Sequence, residues 1–447
     1  MDRWYKEYQE NPPCITVPAP GPESQKLHKK IKEYMKGYSS QVKLFPVVFT
    51  EGRGPFLRDV DGNTYLDFSS GIYVTNCGHC HPKITESIQK MAGKLLNAHD
   101  FDSPMKYEAL ELLAEILPGD ISGIQFYSDG TPAVEAGLRA ARAITDKIEF
   151  LSFWKDFHGK TLGSVSLAVM SADKGIRAPG FFMAPRPDCY RCPFNCERST
   201  CNLFCVDFVE RVLDEETTGR VAAIVMEPIQ GWAGSVFPPD GFISELKKRC
   251  EKRGILLFLD EILTGMGRTG TWFACEHYDT VPDIITVGKG LGNGFPVTAM
   301  AVREEHKEAL EKISASSSFG GNPVACAAVS SVIKVIREEN LLDQAKAIER
   351  VVMNRLEKMK EDYSIVGDVR GKGCLFGIEL VKDKSTKEPF ADAGSRVYRK
   401  AFEKGLAWVP AGHILRMSPP LIMTEELAIK GCDLIEESIA ETERELC

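Results

Sequence analysis

Residues 254–270 read GILLFLDEILTGMGRTG, and residues 282–294 read PDIITVGKGLGNG. Each stretch holds an apolar run of strand length, 255–259 and 284–287, that ends at a charged residue and then a glycine-rich turn. Strands buried on both faces read as continuous apolar runs, so the pair predicts two strands of a parallel sheet. The first run delivers Asp260 and Glu261 at its carboxyl end; the second delivers Lys289. Open α/β sheets place their ligands at the carboxyl ends of the strands. Lys289 stands between Gly288 and Gly290, so the backbone there can approach a bound molecule closely.

Working outward, the same strand–loop–helix unit recurs. Residues 124–127 read as a strand followed by SDGTPAVEAGLRAARAI (128–144). Pro132 suits a first helical turn, where its missing amide hydrogen has no intrahelical partner. The free amides of such a helix start, with the hydroxyls of Ser128 and Thr131, make an anion site. Val221–Met226 is a further strand ending in EPIQG (227–231), and a helix over 242–253 leads into the opening stretch. Repeated βα units imply an α/β fold with a mostly parallel central sheet flanked by helices. Upstream, Asp61-Gly62 predicts a hairpin between alternating flanks, and SGIYVTNCGHCHP (70–82) reads as a loop. His79 and His81 lack the further ligands that a metal centre needs and read as ordinary loop histidines. Beyond about residue 340, charged helices alternate with short strands, which predicts a smaller α+β domain. The expected division is an N-terminal segment 1–66 contributing to the small domain, a large ligand-binding domain 67–327 and a C-terminal small domain 328–447.

The bulk properties restrict the function. With 55 Lys and Arg against 63 Asp and Glu, the formal charge is −8. That mild acidity gives no reason to expect nucleic acid or an anionic membrane as a partner. The first residues lack the apolar core of a signal peptide, and no apolar run approaches the ~18 residues of a membrane span. A cytoplasmic enzyme is expected. Chemically, a lysine can form a Schiff base with a carbonyl, and an aspartate can hold a pyridine nitrogen protonated. Those are the demands of pyridoxal phosphate (PLP).

With these residues in view, the chain resembles the class III aminotransferases (the ornithine and 4-aminobutyrate type), of the PLP-dependent transferase fold type I. Six motifs stand in the family's order: SGIYV…GHCHP, SDGTPAVEA, FHGKTLG, EPIQG, DEILTGMGRTG…GKGLGNG and SFGGNP. They span about residues 47–421. The resemblance implies that Lys289 binds PLP and shuttles the substrate Cα proton, and that Asp260 pairs with the ring nitrogen. It also implies that Phe157 and Ile262 cover the two ring faces and that Ser128, Gly130 and Thr131 cradle the phosphate. His158 and Glu227 complete the coenzyme site. Ser318 and Phe319 occupy the motif that reaches the phosphate from a partner subunit, implying a homodimer, or a dimer of dimers, with shared sites. Arg416 matches the arginine that receives a substrate carboxylate through a bidentate fork; Ile72, Tyr73 and Trp232 are expected to line the substrate space. No metal is expected in the catalytic site. The implied activity moves an amino group from an amino acid or ω-amine to a 2-oxo acid, 2-oxoglutarate or pyruvate. A racemase or epimerase on the same scaffold is the alternative, because both start by removing the Cα proton.

Three departures from the family pattern carry information. Asp129 stands in the phosphate turn, where its charge is awkward unless it turns away and caps the helix. Leu263 replaces a glutamine that touches the ring hydroxyl in much of the family. Trp232 stands where many members carry a glutamate that neutralises the arginine, so Arg416 stays available and substrates with an α-carboxylate are favoured. Separately, Cys189, Cys192, Cys201 and Cys205 form C-x2-C-x8-C-x3-C with Cys196 inside it. That spacing leaves a structural metal, disulfides and free thiols all open.

Overall fold

The computed structural model describes residues 4–6, 13–168 and 177–446. The chain forms two compact units. One is built from the described residues of Met1–Thr85 and Ile336–Cys447, the other from Glu86–Val335. These limits differ from the 67–327 division expected from the sequence: residues 67–85 and 328–335 change sides.

In the larger unit the described residues form one seven-stranded sheet. Its strands are β1 (Ile121–Tyr127), β2 (Glu149–Phe153), β3 (Phe181–Ala184), β4 (Val221–Met226), β5 (Leu256–Glu261), β6 (Ile284–Val287) and β7 (Thr298–Arg303), in the order β1-β7-β6-β5-β4-β2-β3. The neighbours from β3 to β6 are parallel, while β7 runs antiparallel to both β6 and β1. Consecutive residues of β4, β5 and β6 are buried throughout, as their unbroken apolar runs require. Asp260 pairs in register with Thr286 across β5 and β6, so Lys289 follows three residues beyond that partner.

Helix α1 (Gly130–Thr145) follows β1 and buries Ala133, Ala136, Gly137, Ala140 and Ala141 against the sheet. Small residues on that face let the helix approach closely. A Cβ added at Gly137 would meet the Phe258 ring at 2.5 Å, so β5 and α1 pack where only glycine fits. The helix ends on Asp146 in the left-handed conformation.

In the smaller unit the described residues form two four-stranded sheets. One contains Phe49–Arg53, Phe56–Asp59, Thr64–Asp67 and Leu406–Ala407; the other contains Val366–Lys372, Leu375–Leu380, Ile414–Met417 and Val409–Ala411. The Asp61-Gly62 hairpin forms between Phe56–Asp59 and Thr64–Asp67. Asp61 also accepts hydrogen bonds from the Glu23 and Ser24 amides, at 2.8 and 2.9 Å, at the start of helix Pro22–Tyr34. No helix among the described residues is long and apolar enough to cross a membrane.

Candidate active site

The carboxyl ends of β4, β5 and β6 bring their acids and neighbouring loops together. Asp260, 4% exposed, is held on three sides. Its Oδ1 accepts from the Thr286 hydroxyl at 2.8 Å and the Ile262 amide at 3.2 Å, and its Oδ2 lies 2.8 Å from His158 Nδ1. Thr286 is the one polar residue in the apolar run of β6, and this bond is the reason it can be buried. His158 is itself buried, so it acts on Asp260 from the protein side. Burial alone would lower the imidazole's proton affinity, but the Asp156 and Asp260 carboxylates outweigh it and raise the pKa to about 10.

Glu227, at the end of β4, ties two loops together. Its Oε1 accepts from the Phe157 amide at 2.8 Å and its Oε2 from the Gly231 amide at 2.9 Å. Burial, and then the charge of Asp156, push this carboxyl up to about 8. Phe157 therefore stands half-buried at a fixed position, with its ring centroid 6.0 Å from that of Trp232. Leu263, where a glutamine was the family's choice, is buried and fills the space over Gly231; a Cβ on Gly231 would collide with it. The departure is thus a packing exchange: an apolar side chain occupies the site and fixes a glycine opposite.

Ile262 links the other half of the arrangement. A Cβ on Gly130 would lie 2.9 Å from Ile262 Cδ1, and one on Gly288 would lie 3.3 Å from Ile262 Cγ2. The half-buried Ile262 side chain therefore touches both the start of α1 and the residue before Lys289. Lys289 itself is half-buried and left-handed, at φ 44°, an uncommon conformation for a residue with a side chain and one that clusters at functional positions.

At the phosphate turn, Asp129 caps α1, accepting from the Thr131 amide at 3.4 Å. The bond is long and Asp129 is exposed, which answers the charge question raised by its position: the carboxylate turns into the helix end. Ser128 is exposed, and Gly130 and Thr131 are half-buried. The following motif is held by Glu135 of α1, which bonds the Thr161 hydroxyl and accepts from the Ser164 amide at 2.9 Å. Gly159 has φ 131°, and a Cβ there would lie 2.5 Å from Thr131 Oγ1 and 2.7 Å from Ser164 Oγ. Gly159→Ala is expected to destabilise the coenzyme-free protein by about 1–3 kcal/mol, through backbone strain and displacement of Thr131. The denaturant midpoint measures this, and an unchanged midpoint would show that the loop relaxes freely.

Ser318 and Phe319 lie on an exposed loop, with the Ser318 carbonyl accepting from Asn97 Nδ2 at 2.9 Å and Phe319 63% exposed. In the smaller unit, residues 70–73 form a turn that the sequence did not disclose. Ser70, Gly71, Ile72 and Tyr73 all have positive φ, from 48° to 70°. A β-branched residue at φ 70° is a genuine outlier. Asp67 Oδ1 holds the turn by accepting from the Ser69 and Ser70 amides at 2.8 and 3.0 Å, and Ser70 Oγ donates to the Ser418 carbonyl at 2.6 Å. Ser418 follows the strand Ile414–Met417, which carries the buried Arg416, so Ile72, Tyr73 and Arg416 belong to one locally braced region.

The histidines of the early loop are structural. His79 Nε2 lies 2.7 Å from Asp67 Oδ2, and His81 Nε2 lies 3.1 Å from Glu339 Oε1. Cys189, Cys192, Cys196, Cys201 and Cys205 line one small cavity as free thiols. Among the described residues, no group of three or more His, Cys, Asp or Glu is arranged to hold a metal ion.

Residues 37–439 match the family model described as aminotransferase class-III. The chain belongs to the class-III aminotransferase family. Curated relatives in and around that family are similar to this chain over nearly its full length. The leucine/methionine racemase of Thermococcus litoralis shares 38% identity, covering 91% of this chain and 93% of its own. The acetylornithine aminotransferase of Methanopyrus kandleri shares 36%, covering 92% and 96%. Among solved structures, an amine transaminase from an uncultivated Pseudomonas species, in its PLP-bound form, superposes with TM-score 0.86 at 27% identity, covering 91% of this chain and 98% of that one. The family and the α/β transferase fold expected from the six motifs are both borne out. Asp156, Thr286 and Glu135 bond to the motif residues around the strand ends, and the motifs alone did not single them out. Thr286 had left a trace, as a lone polar residue within a buried strand.

Proposed function

We propose that the chain is a PLP-dependent aminotransferase that moves an amino group from an amino acid or ω-amine to a 2-oxo acid such as 2-oxoglutarate or pyruvate, by a ping-pong course. The observation that carries the reading is the arrangement at the strand ends. A buried, hydrogen-bonded aspartate on β5 stands beside a strand that leads, three residues past its Thr286 partner, to a lysine. The residues fit the coenzyme. Two buried carboxylates, Asp156 and Asp260, share one imidazolium, which leaves a negative charge that a pyridinium would neutralise. The amides of Gly130 and Thr131, at the start of a 16-residue helix, suit a phosphate.

Bound there, PLP supplies the electron sink that lets a substrate Cα–H bond break heterolytically. The protein's own residues do the rest. Lys289 would anchor the coenzyme through its amine and would then take up and return the substrate Cα proton at Nζ. Asp260 keeps a proton on the ring nitrogen. Phe157 and Ile262 would cover the ring faces, and Glu227 fixes Phe157 through its amide. Arg416 receives the substrate carboxylate, with Ile72, Tyr73 and Trp232 against the side chain. The exposed Phe319 supports a homodimer, or a dimer of dimers, in which Ser318 and Phe319 complete the partner's site. A cytoplasmic location accords with the composition.

The second reading, racemisation, is favoured by one observation: the 38% identity to a leucine/methionine racemase. The two differ in where the abstracted proton returns. The test incubates the holoenzyme with single L-amino acids, with and without 2-oxoglutarate. Oxo-acid formation that requires the acceptor is the expected result. D-enantiomer accumulating without acceptor would replace transfer with racemisation.

A further inference from the structure

The loop before Phe157 contains an acid with no assigned task. Asp156 is 2% exposed, beside two other buried acids. Its Oδ1 accepts from Gln230 Nε2 at 2.6 Å, and the same amide nitrogen lies 2.9 Å from the Trp154 carbonyl. Its Oδ2 faces His158 Nε2 at 3.5 Å, while the other ring nitrogen, Nδ1, faces Asp260 Oδ2 at 2.8 Å. One imidazole is thus held between two carboxylates, one on each nitrogen. A neutral imidazole can donate to only one of them, and the other would face a lone pair. Only when both nitrogens carry protons does each turn a hydrogen towards a carboxylate; the Nε2–Oδ2 approach, at 3.5 Å, is an ion pair without a hydrogen bond.

We propose that Asp156 is a positioning residue that keeps His158 an imidazolium and thereby sets the charge Asp260 presents to the coenzyme's ring nitrogen. The inference rests on the coenzyme reading given above. Charge counting shows the consequence. Burial pushes the Asp156 carboxyl up, while His158 and Gln230 draw it back down; when Asp156 and Asp260 are both ionised, the two with one imidazolium between them carry one net negative charge, matched by a protonated ring nitrogen. Asp156 offsets that imidazolium; in its absence, for as long as His158 stays protonated, the imidazolium would cancel Asp260 and leave no net charge for the ring. The other groups facing the cluster do not change the count. Glu227, at the end of β4, is pushed up to about 8 by burial and then by Asp156, and its two oxygens face the Phe157 and Gly231 amides. Thr286 contributes only a hydroxyl. On the turn after β6, Lys289 is the cation that the coenzyme itself would engage. Gln230, from the EPIQG motif, gains a task in the same scheme: it orients Asp156 by donating to Oδ1.

The test follows the ring nitrogens of His158 by 15N NMR, in holoenzyme and in coenzyme-free protein, with the signal assigned by its loss in His158→Gln. In the wild type both nitrogens are expected to remain protonated at pH 8, in either form. In Asp156→Asn, which keeps the volume and the contact with Gln230, the imidazole is expected to titrate at least about one pH unit lower. PLP affinity is expected to fall about tenfold with it, a change that the loss of a merely structural bond would not tie to the histidine's titration. A neutral His158 at pH 8 in the wild type overturns the proposal, whether or not the variant folds; so does an unshifted titration in Asp156→Asn. Failure of the wild-type protein to bind PLP at all, with His158 cationic in the coenzyme-free protein, would instead sink the functional reading.

Discussion

Replacing Lys289 with alanine is expected to lower kcat/KM by about 10⁴-fold, at the upper end of what a positioned proton carrier contributes. Two tasks fall on the same amine: covalent attachment of the coenzyme and movement of the Cα proton. No other residue on the strand ends described above can take both. The fold should tolerate the change. Lys289 is half-buried on a three-residue turn after β6, and its left-handed backbone is framed by Gly288 and Gly290. Lys289→Arg would keep the positive charge but lose activity equally, because a guanidinium does not form the imine. Reduction with borohydride followed by peptide mass spectrometry checks the first task directly. The coenzyme's mass should attach to the Lys289 peptide in the wild type and to no peptide in the variant. A variant retaining a tenth of wild-type kcat/KM would remove Lys289 from the mechanism.

Asp260→Asn should cost about 10²–10³-fold in kcat/KM, the range for removing one preorganised electrostatic partner of a developing charge. Unlike Lys289→Ala, it should also lower stability, by about 1–3 kcal/mol. The reason lies in the three donors that converge on Asp260. An asparagine can present an oxygen to the Thr286 hydroxyl and the Ile262 amide, which lie 2.8 and 3.2 Å from Oδ1. Its amide NH2 then meets the protonated Nδ1 of His158, where the carboxylate oxygen lies at 2.8 Å, and two donors face each other in a buried site. Steady-state kinetics with a preferred amino donor, alongside the thermal midpoint of the coenzyme-free protein, separates the two effects. A loss of activity with no loss of stability would mean that His158 gives up its proton when the charge is removed.

Much of this was legible in the residues. The two apolar runs ending in Asp260 and Lys289 gave adjacent parallel strands, because burial on both faces leaves an unbroken apolar signature. The family followed from six motifs in order, and the Asp61-Gly62 hairpin from its turn chemistry. Other features left weaker traces. Asp129 could be suspected as a cap, but only the structure showed it bonded to the Thr131 amide. The turn at residues 70–73 could not be foreseen, because Ser70, Ile72 and Tyr73 have no intrinsic preference for positive φ. Asp67, just upstream, and Ser418, from a distant part of the chain, impose it through hydrogen bonds.

The sequence by itself determined the sheet, the family and the acid and amine on which the chemistry turns, since these depend on local periodicity and on residue types that little else would explain. The tertiary structure alone decided how the acids are wired. That Asp156 and Asp260 grip one histidine, that Glu227 spans two loops and that Leu263 fills the space over Gly231 are facts about residues up to 104 positions apart, as Asp156 is from Asp260. Charge balance inside a low-dielectric cluster depends on distances of a few ångströms, and those are set by strand register and loop closure.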